Sequence, residues 1–274
     1  MSLSTIMVQL EIDDPAQKRL TAALDLARRF DANLIGFSAA DYRVHLPYEG
    51  GRAVMEMQRQ RQEEITAQME LLRKAFLDLA GDGPGATWIG KFGHPTELLA
   101  MHARSADLLV VGSPRTAEAL ERDRHVDVGK LVLAAGRPVL MLTKDEVVVR
   151  ADKIIIAWKD AREARRAVTD ALPFLAAARQ VIVAAVVENH EGLAREGCAE
   201  VVRFLMRHGV KAEETLLPLG KAPPAEAIAD LARALGSDLV VSGGYGHSRL
   251  REWAFGGVTR SLIHDGSLNR LFSN

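Results

Sequence analysis

The residues whose types and spacing could do chemistry lie near the end of the chain, in Gly243-Gly244-Tyr245-Gly246-His247-Ser248-Arg249-Leu250-Arg251-Glu252-Trp253-Ala254-Phe255-Gly256-Gly257-Val258-Thr259. Glycine at 243 and 246 admits tight turns and lets backbone amides approach a ligand with no Cβ in the way. Gly256-Gly257 precede a helical stretch, Val258 to Ile263, whose open N–H groups attract an anion. Thr259 adds a hydroxyl donor. A phosphate chain fits across such a loop. Charge agrees, since Arg249, Arg251 and Arg260 face Glu252 alone, whereas residues 113–129 hold Arg115, Arg122 and Arg124 against Glu118, Glu121, Asp123 and Asp127. That earlier stretch carries a single glycine, Gly129, at its end, and reads as a degenerate copy. The loop has no lysine and no Gly-Lys-Ser/Thr step, which excludes a P-loop nucleotidase.

Other chemistries find less support. The 8 histidines are scattered without metal-ligand spacing. The single cysteine, Cys198, has neither a disulfide partner nor a strongly basic setting, and is read as inert. Ser242 and Ser248 sit near the loop with no evident general base, so no catalytic set is assigned. Glu97 and Glu226 occupy matching places and read as first-turn helix charges.

The elements that must position the loop come from a repeat. Ala106-Asp107-Leu108-Leu109-Val110-Val111-Gly112-Ser113 returns as Ser237-Asp238-Leu239-Val240-Val241-Ser242-Gly243-Gly244. Each copy follows a proline-led helical stretch, from Pro95 and from Pro224. Each half opens with an apolar run, Ile6 to Leu10 and Ile154 to Trp158, that leads into an alanine-rich helical pattern. The predicted strands are 6–10, 34–39, 87–91, 108–112 and 139–142, then 153–157, 181–187, 213–217, 239–242 and, more weakly, 268–272. A long helix is predicted over Arg52–Leu79 and a linker over Lys144–Asp152. Continuous apolar runs such as Val181–Val187 suit strands covered on both faces, and alternating strands and helices imply right-handed crossovers. The expectation is an α/β chain of two tandem doubly wound domains, residues 1–148 and 149–274, each a five-stranded parallel sheet with helices on both faces.

Composition agrees with that class. At 274 residues with 48% apolar and 26% charged, the chain has the balance of a globular protein. A formal charge of −1 gives no field toward nucleic acid, and no stretch approaches the roughly 20 apolar residues that span a bilayer. The start shows no signal-peptide pattern, so a cytoplasmic location is expected.

The spacing glycine, two residues, glycine, nine residues, glycine, following a strand that ends in Val-Val-Ser-Gly, resembles the nucleotide loop of the universal stress protein family. The duplicated layout looks like its tandem two-domain members. The resemblance implies binding of ATP or a related adenine nucleotide, with Mg²⁺, in the second half. It implies phosphate and ribose contacts from Gly243, Gly246, Gly256, Gly257 and Thr259, with Val258 beside them, and nucleoside contacts from Ala157, Val186 and Ser242. It also implies an internal pseudo-dimer joined through the last strands. Two departures stand out. Family binders usually carry an aspartate two residues after the position of Ala157, where this chain has Lys159, and a Ser or Thr where it has Gly257. Lys159 reads either as a helix-flanking surface lysine or as a contact to phosphate or base. The departures together remove about 1–3 kcal/mol of hydrogen bonding. The last strand, Leu268–Phe272, is polar, which implies a frayed or altered junction. The implied function is a nucleotide-dependent regulatory protein with a protein partner, and a homodimer of tandem chains is compatible with it. A nucleotide-independent scaffold or a slow nucleotide hydrolase are the alternatives.

Overall fold

The computed structural model describes residues 2–13, 17–43, 51–81, 85–114, 124–187, 190–245 and 257–274. In the first half the order is β1 (Thr5–Gln9), α1 (Gln17–Phe30), β2 (Asn33–Ala40), α2 (Arg52–Ala80), β3 (Ala86–Phe92), α3 (Pro95–His102), β4 (Leu108–Gly112), α4 (Val128–Ala134) and β5 (Val139–Leu142). The second half follows with β6 (Lys153–Ala157), α5 (Arg162–Asp170), α6 (Leu172–Ala177), β7 (Gln180–Val187), α7 (Glu191–Arg207), β8 (Ala212–Pro218), α8 (Pro224–Leu235), β9 (Leu239–Gly243), α9 (Gly257–His264) and β10 (Arg270–Ser273).

All ten strands form one sheet, ordered β3-β2-β1-β4-β5-β10-β9-β6-β7-β8. Within each half every pairing is parallel, and the halves meet where β5 and β10 run antiparallel. The chain is thus an internal pseudo-dimer with a continuous sheet, as the resemblance implied.

Strand alternation sorts the core. Ile6 and Val8 belong to the core cluster that also holds residues of α1, α2, α5, α6 and α7, while Met7 between them belongs to the one that holds residues of α3, α4, α8 and α9. The repeated Asp107 and Asp238 have matching structural tasks. Asp107 accepts the amides of Ser4 and Thr5 at 2.9 and 3.0 Å, and Asp238 those of Asp152 and Lys153, both at 3.1 Å. Each aspartate ties the start of its half's first strand to the strand beside it.

One expectation needs correction. The polar last strand is not frayed. The strand runs Arg270–Ser273, all buried, and Arg270, Leu271 and Phe272 pair with Met141, Leu140 and Val139. The polarity belongs largely to Arg270, which is 0% exposed yet hydrogen-bonded: it donates to Leu262 O at 3.0 Å and to Ser113 Oγ at 3.1 Å. Its two terminal nitrogens are thus paired while Nε has no hydrogen-bond partner among the described residues, and a buried cation is tolerated only so far as its donors are matched.

Candidate functional site

In open α/β sheets, ligands sit beyond the carboxyl ends of strands where the strand order reverses. Here that occurs twice, between β1 and β4 and between β6 and β9.

At the second reversal, Ala157 and Ser242 are register neighbours on β6 and β9. Ala157 also pairs with Ala184 on β7, two residues before Val186. The three residues expected to touch a nucleoside therefore gather at one sheet edge. Lys159 lies just past β6 and is exposed. Ser242 is buried, its hydroxyl donating to Gly243 O at 3.1 Å.

The glycines have structural duties that sequence spacing hides. A Cβ at Gly243 would come within 2.6 Å of Ala164 N and 2.7 Å of Glu163 C, so glycine here admits the start of α5 against the end of β9. Thr259 is buried and its Oγ1 accepts the Tyr245 amide at 3.2 Å. That hydroxyl is engaged by the loop's own backbone. Gly257 opens α9, while Val258 packs into the cluster shared with α4 residues of the first half. Gly246 and Gly256, like Arg249 and Arg251, lie outside the described residues.

The first reversal holds a cavity of about 590 Å³, of the size that takes small ligands and cofactors. Gln9 and Glu11 enter from the end of β1, Gly112 and Ser113 from the end of β4, and His125, Asp127 and Lys130 from the approach to α4. The second half contributes Tyr245 and one face of α9, namely Arg260, Ile263 and His264. Glu11 and Asp127 are balanced by Lys130 and Arg260, with His94, His125 and His264 around them.

Glu11 and His125 form a largely buried polar pair in it, Oε2 to Nδ1 at 3.1 Å, each side chain 12% exposed. Burial raises the Glu11 carboxyl, but the His125 hydrogen bond and the positive field of Arg19 outweigh it and hold Glu11 below its ordinary value. Arg19 anchors the floor by donating to Gln9 O at 2.8 Å and Gln9 Oε1 at 2.9 Å. Its Cζ would stand 2.7 Å from a Cβ at Gly112, which explains glycine there. His94 lines the cavity, and its Nδ1 is buried without a hydrogen bond from the protein.

Sequence reading missed this arrangement. Glu11 and His125 are far apart in the chain, and no short motif joins them. A signal was nevertheless present in the repeat. Ile6 pairs with Leu108 as Ile154 pairs with Leu239, so Gln9 matches Ala157 and Glu11 matches Lys159. The carboxylate lacking in the second half stands in the first. Conversely, His125 and Val126 occupy the places of Gly256 and Gly257, so the glycine spacing belongs to the second half alone. Among the described residues no three His, Cys, Asp or Glu side chains are grouped to hold a metal ion, and no helix is long and apolar enough to cross a membrane.

Residues 3–134 match the model of the universal stress protein family. No curated protein matches the chain. Among solved structures, a universal stress protein from Archaeoglobus fulgidus DSM 4304 is similar over 98% of this chain and 96% of its own, at 14% identity and a TM-score of 0.71. A functionally unknown protein from Pseudomonas aeruginosa PAO1 covers 99% and 92%, at 15% identity and a TM-score of 0.62. A putative universal stress protein from Pseudomonas aeruginosa UCBPP-PA14 covers 99% and 93%, at 16% identity and a TM-score of 0.60. Residues 3–134 thus match the universal stress protein family model, the whole chain shares the fold of these structures, and its C-terminal half repeats the same order of strands.

Proposed function

We propose that this protein is a nucleotide-dependent regulatory protein that binds ATP or a related adenine nucleotide, and that the first-half cavity is its principal site. The observation that carries the reading is the cavity's position at the β1/β4 strand reversal with Glu11 at its edge. A carboxylate held ionised there accepts hydroxyl hydrogens, as a ribose supplies. Lys130 and Arg260 provide cations for phosphate oxygens. Mg²⁺ would enter with the nucleotide. Binding would alter the surface around the site and so the recognition of a protein partner or of a second tandem chain, in the cytoplasm.

A second reading keeps the nucleotide in the C-terminal half, on Gly243, Gly246, Gly256, Gly257, Val258 and Thr259, with Ala157, Val186, Ser242 and Lys159 around the nucleoside. The glycine spacing and the adjacency of Ala157 and Ser242 favour it. The packing duty of Gly243, the engaged Thr259 hydroxyl and Lys159 in the carboxylate's place count against it.

Thermal shift with ATP, ADP, AMP and no ligand tests both, because a ligand that binds only the native state raises the melting temperature. The first reading expects Glu11→Gln to abolish most of the ATP shift and Gly246→Glu, Gly256→Glu to spare it. The reverse pattern selects the second reading. No shift with any nucleotide in the wild-type protein discards both and leaves a nucleotide-independent scaffold.

A further inference from the structure

We infer that Tyr245 and Arg260, both from the second half, are specificity-determining residues of the first-half cavity, so that this site is assembled from both halves of the chain. The inference rests on the cavity being a nucleotide site and adds which residues read the ligand.

Three observations support it. First, the backbone leaving β9 is locked against α4. A Cβ at Gly244 would overlap Val132 Cγ1, and a Cβ at Gly129 would overlap the Tyr245 hydroxyl. Glycine on each side lets the two halves interlock, and the interlock delivers the phenol into the wall of the other half's cavity. Second, Tyr245 is held in a conformation that side chains rarely adopt, φ +52. Thr259 Oγ1 accepts its amide at 3.2 Å, and Asn274 Nδ2 donates to the preceding carbonyl, Gly244 O, at 2.6 Å. Strain of this kind persists where the surroundings over-determine it and is concentrated at functional positions. Third, Arg260, Ile263 and His264 are spaced to share one helical face, and all three line the cavity. Arg260 is exposed at the fourth position of α9, which gives the cavity a cation from the opposite half.

The chemistry divides between the two. Arg260 reads phosphate charge, because a guanidinium forms strong paired hydrogen bonds with phosphate oxygens and gains nothing from a neutral nucleoside. Tyr245 supplies a flat aromatic wall and a hydroxyl to whatever part of the ligand lies over Gly129.

The test is calorimetric titration of the full-length protein with ATP and with adenosine, on wild type, Glu11→Gln, Arg260→Gln and Tyr245→Phe, each first shown folded by circular dichroism. The expected result is that Glu11→Gln weakens both ligands, that Arg260→Gln weakens ATP about tenfold and leaves adenosine unchanged, and that Tyr245→Phe weakens ATP several-fold. If Glu11→Gln weakens binding while Arg260→Gln and Tyr245→Phe do not, the cavity reading stands and the two-half assembly is overturned. Equal loss of ATP and adenosine in Arg260→Gln also overturns the role given to Arg260. ATP binding unaffected by Glu11→Gln but weakened by Arg260→Gln places the nucleotide at the second half's loop and overturns both. Wild-type protein that binds neither ligand overturns the nucleotide reading and this inference with it.

Discussion

The Arg270 guanidinium, wholly buried in the last strand, donates to Ser113 Oγ at 3.1 Å across the seam between the two halves. Ser113 passes its own hydrogen to Leu142 O at 2.8 Å and lines the first-half cavity. The strand that closes the sheet is thereby linked to the loop that shapes the candidate site. Burial pushes the Arg270 guanidinium down to about 10, with Asp265 opposing the shift.

Arg270→Ala removes both donors, leaves Leu262 O and Ser113 Oγ without their partner, and opens a void at the β5–β10 junction. The expected loss of stability is about 2–4 kcal/mol. Arg270→Met costs less, because it fills the volume and removes the penalty of a buried charge. Chemical denaturation of the two variants checks the order, and a methionine variant as unstable as the alanine one contradicts this account.

Gly129 and Tyr245 give a contact that a double-mutant cycle can measure. Gly129→Ala lowers stability by about 1–3 kcal/mol through overpacking, despite alanine's usual helix advantage of roughly 1 kcal/mol. In a Tyr245→Phe background the overlapping hydroxyl is gone, and the nearest remaining ring carbon, Cζ, would lie 3.4 Å from the new methyl. The penalty then shrinks by about 1 kcal/mol or more. An unchanged penalty means that the phenol does not rest where described.

Acid stability reports on Glu11. Its carboxyl is held below the ordinary value of 4.5 in the folded protein, so the stabilisation it contributes is complete above that pH and is lost as the pH falls through the folded value. Wild type and Glu11→Gln should differ above the ordinary carboxylate value of 4.5 and converge as the pH falls below it. Melting temperatures across pH 3–8 (a range set by the reference carboxylate and imidazole values) test the sign. A gap that widens as the pH falls below about 4.5 refutes the description of the Glu11–His125 pair.

Cys198 should be chemically quiet. Burial, with the negative charge of Glu214, pushes its thiol up to about 11, so little thiolate exists near neutrality. Alkylation at pH 8 is expected to be far slower in native protein than after denaturation. Rapid native labelling contradicts the buried placement.

Much of the architecture was legible in the residues. The run Val181–Val187 lies within β7, the proline-led stretches became α3 and α8, and Arg52–Leu79 became a helix ending one residue later. These are local matters of side-chain periodicity and backbone restriction. The site was only half legible. Ala157 and Ser242 do come together, because their strands are neighbours. Glu11 and His125 went unnoticed because their pairing depends on β1 and the approach to α4 meeting in space.

The chain by itself determined the duplication and the order of strands and helices, since strand and helix periods are written along contiguous residues. Only the tertiary structure decided why particular glycines are glycine. Gly243 reads as an opening toward a ligand, yet a helix backbone occupies the space where its Cβ would stand. Only the tertiary structure, likewise, joined β5 to β10 around a buried arginine and carried Tyr245 into the opposite half. A missing side chain looks the same in sequence whether it makes room for a ligand or for the protein itself, and the difference lies in what packs against it.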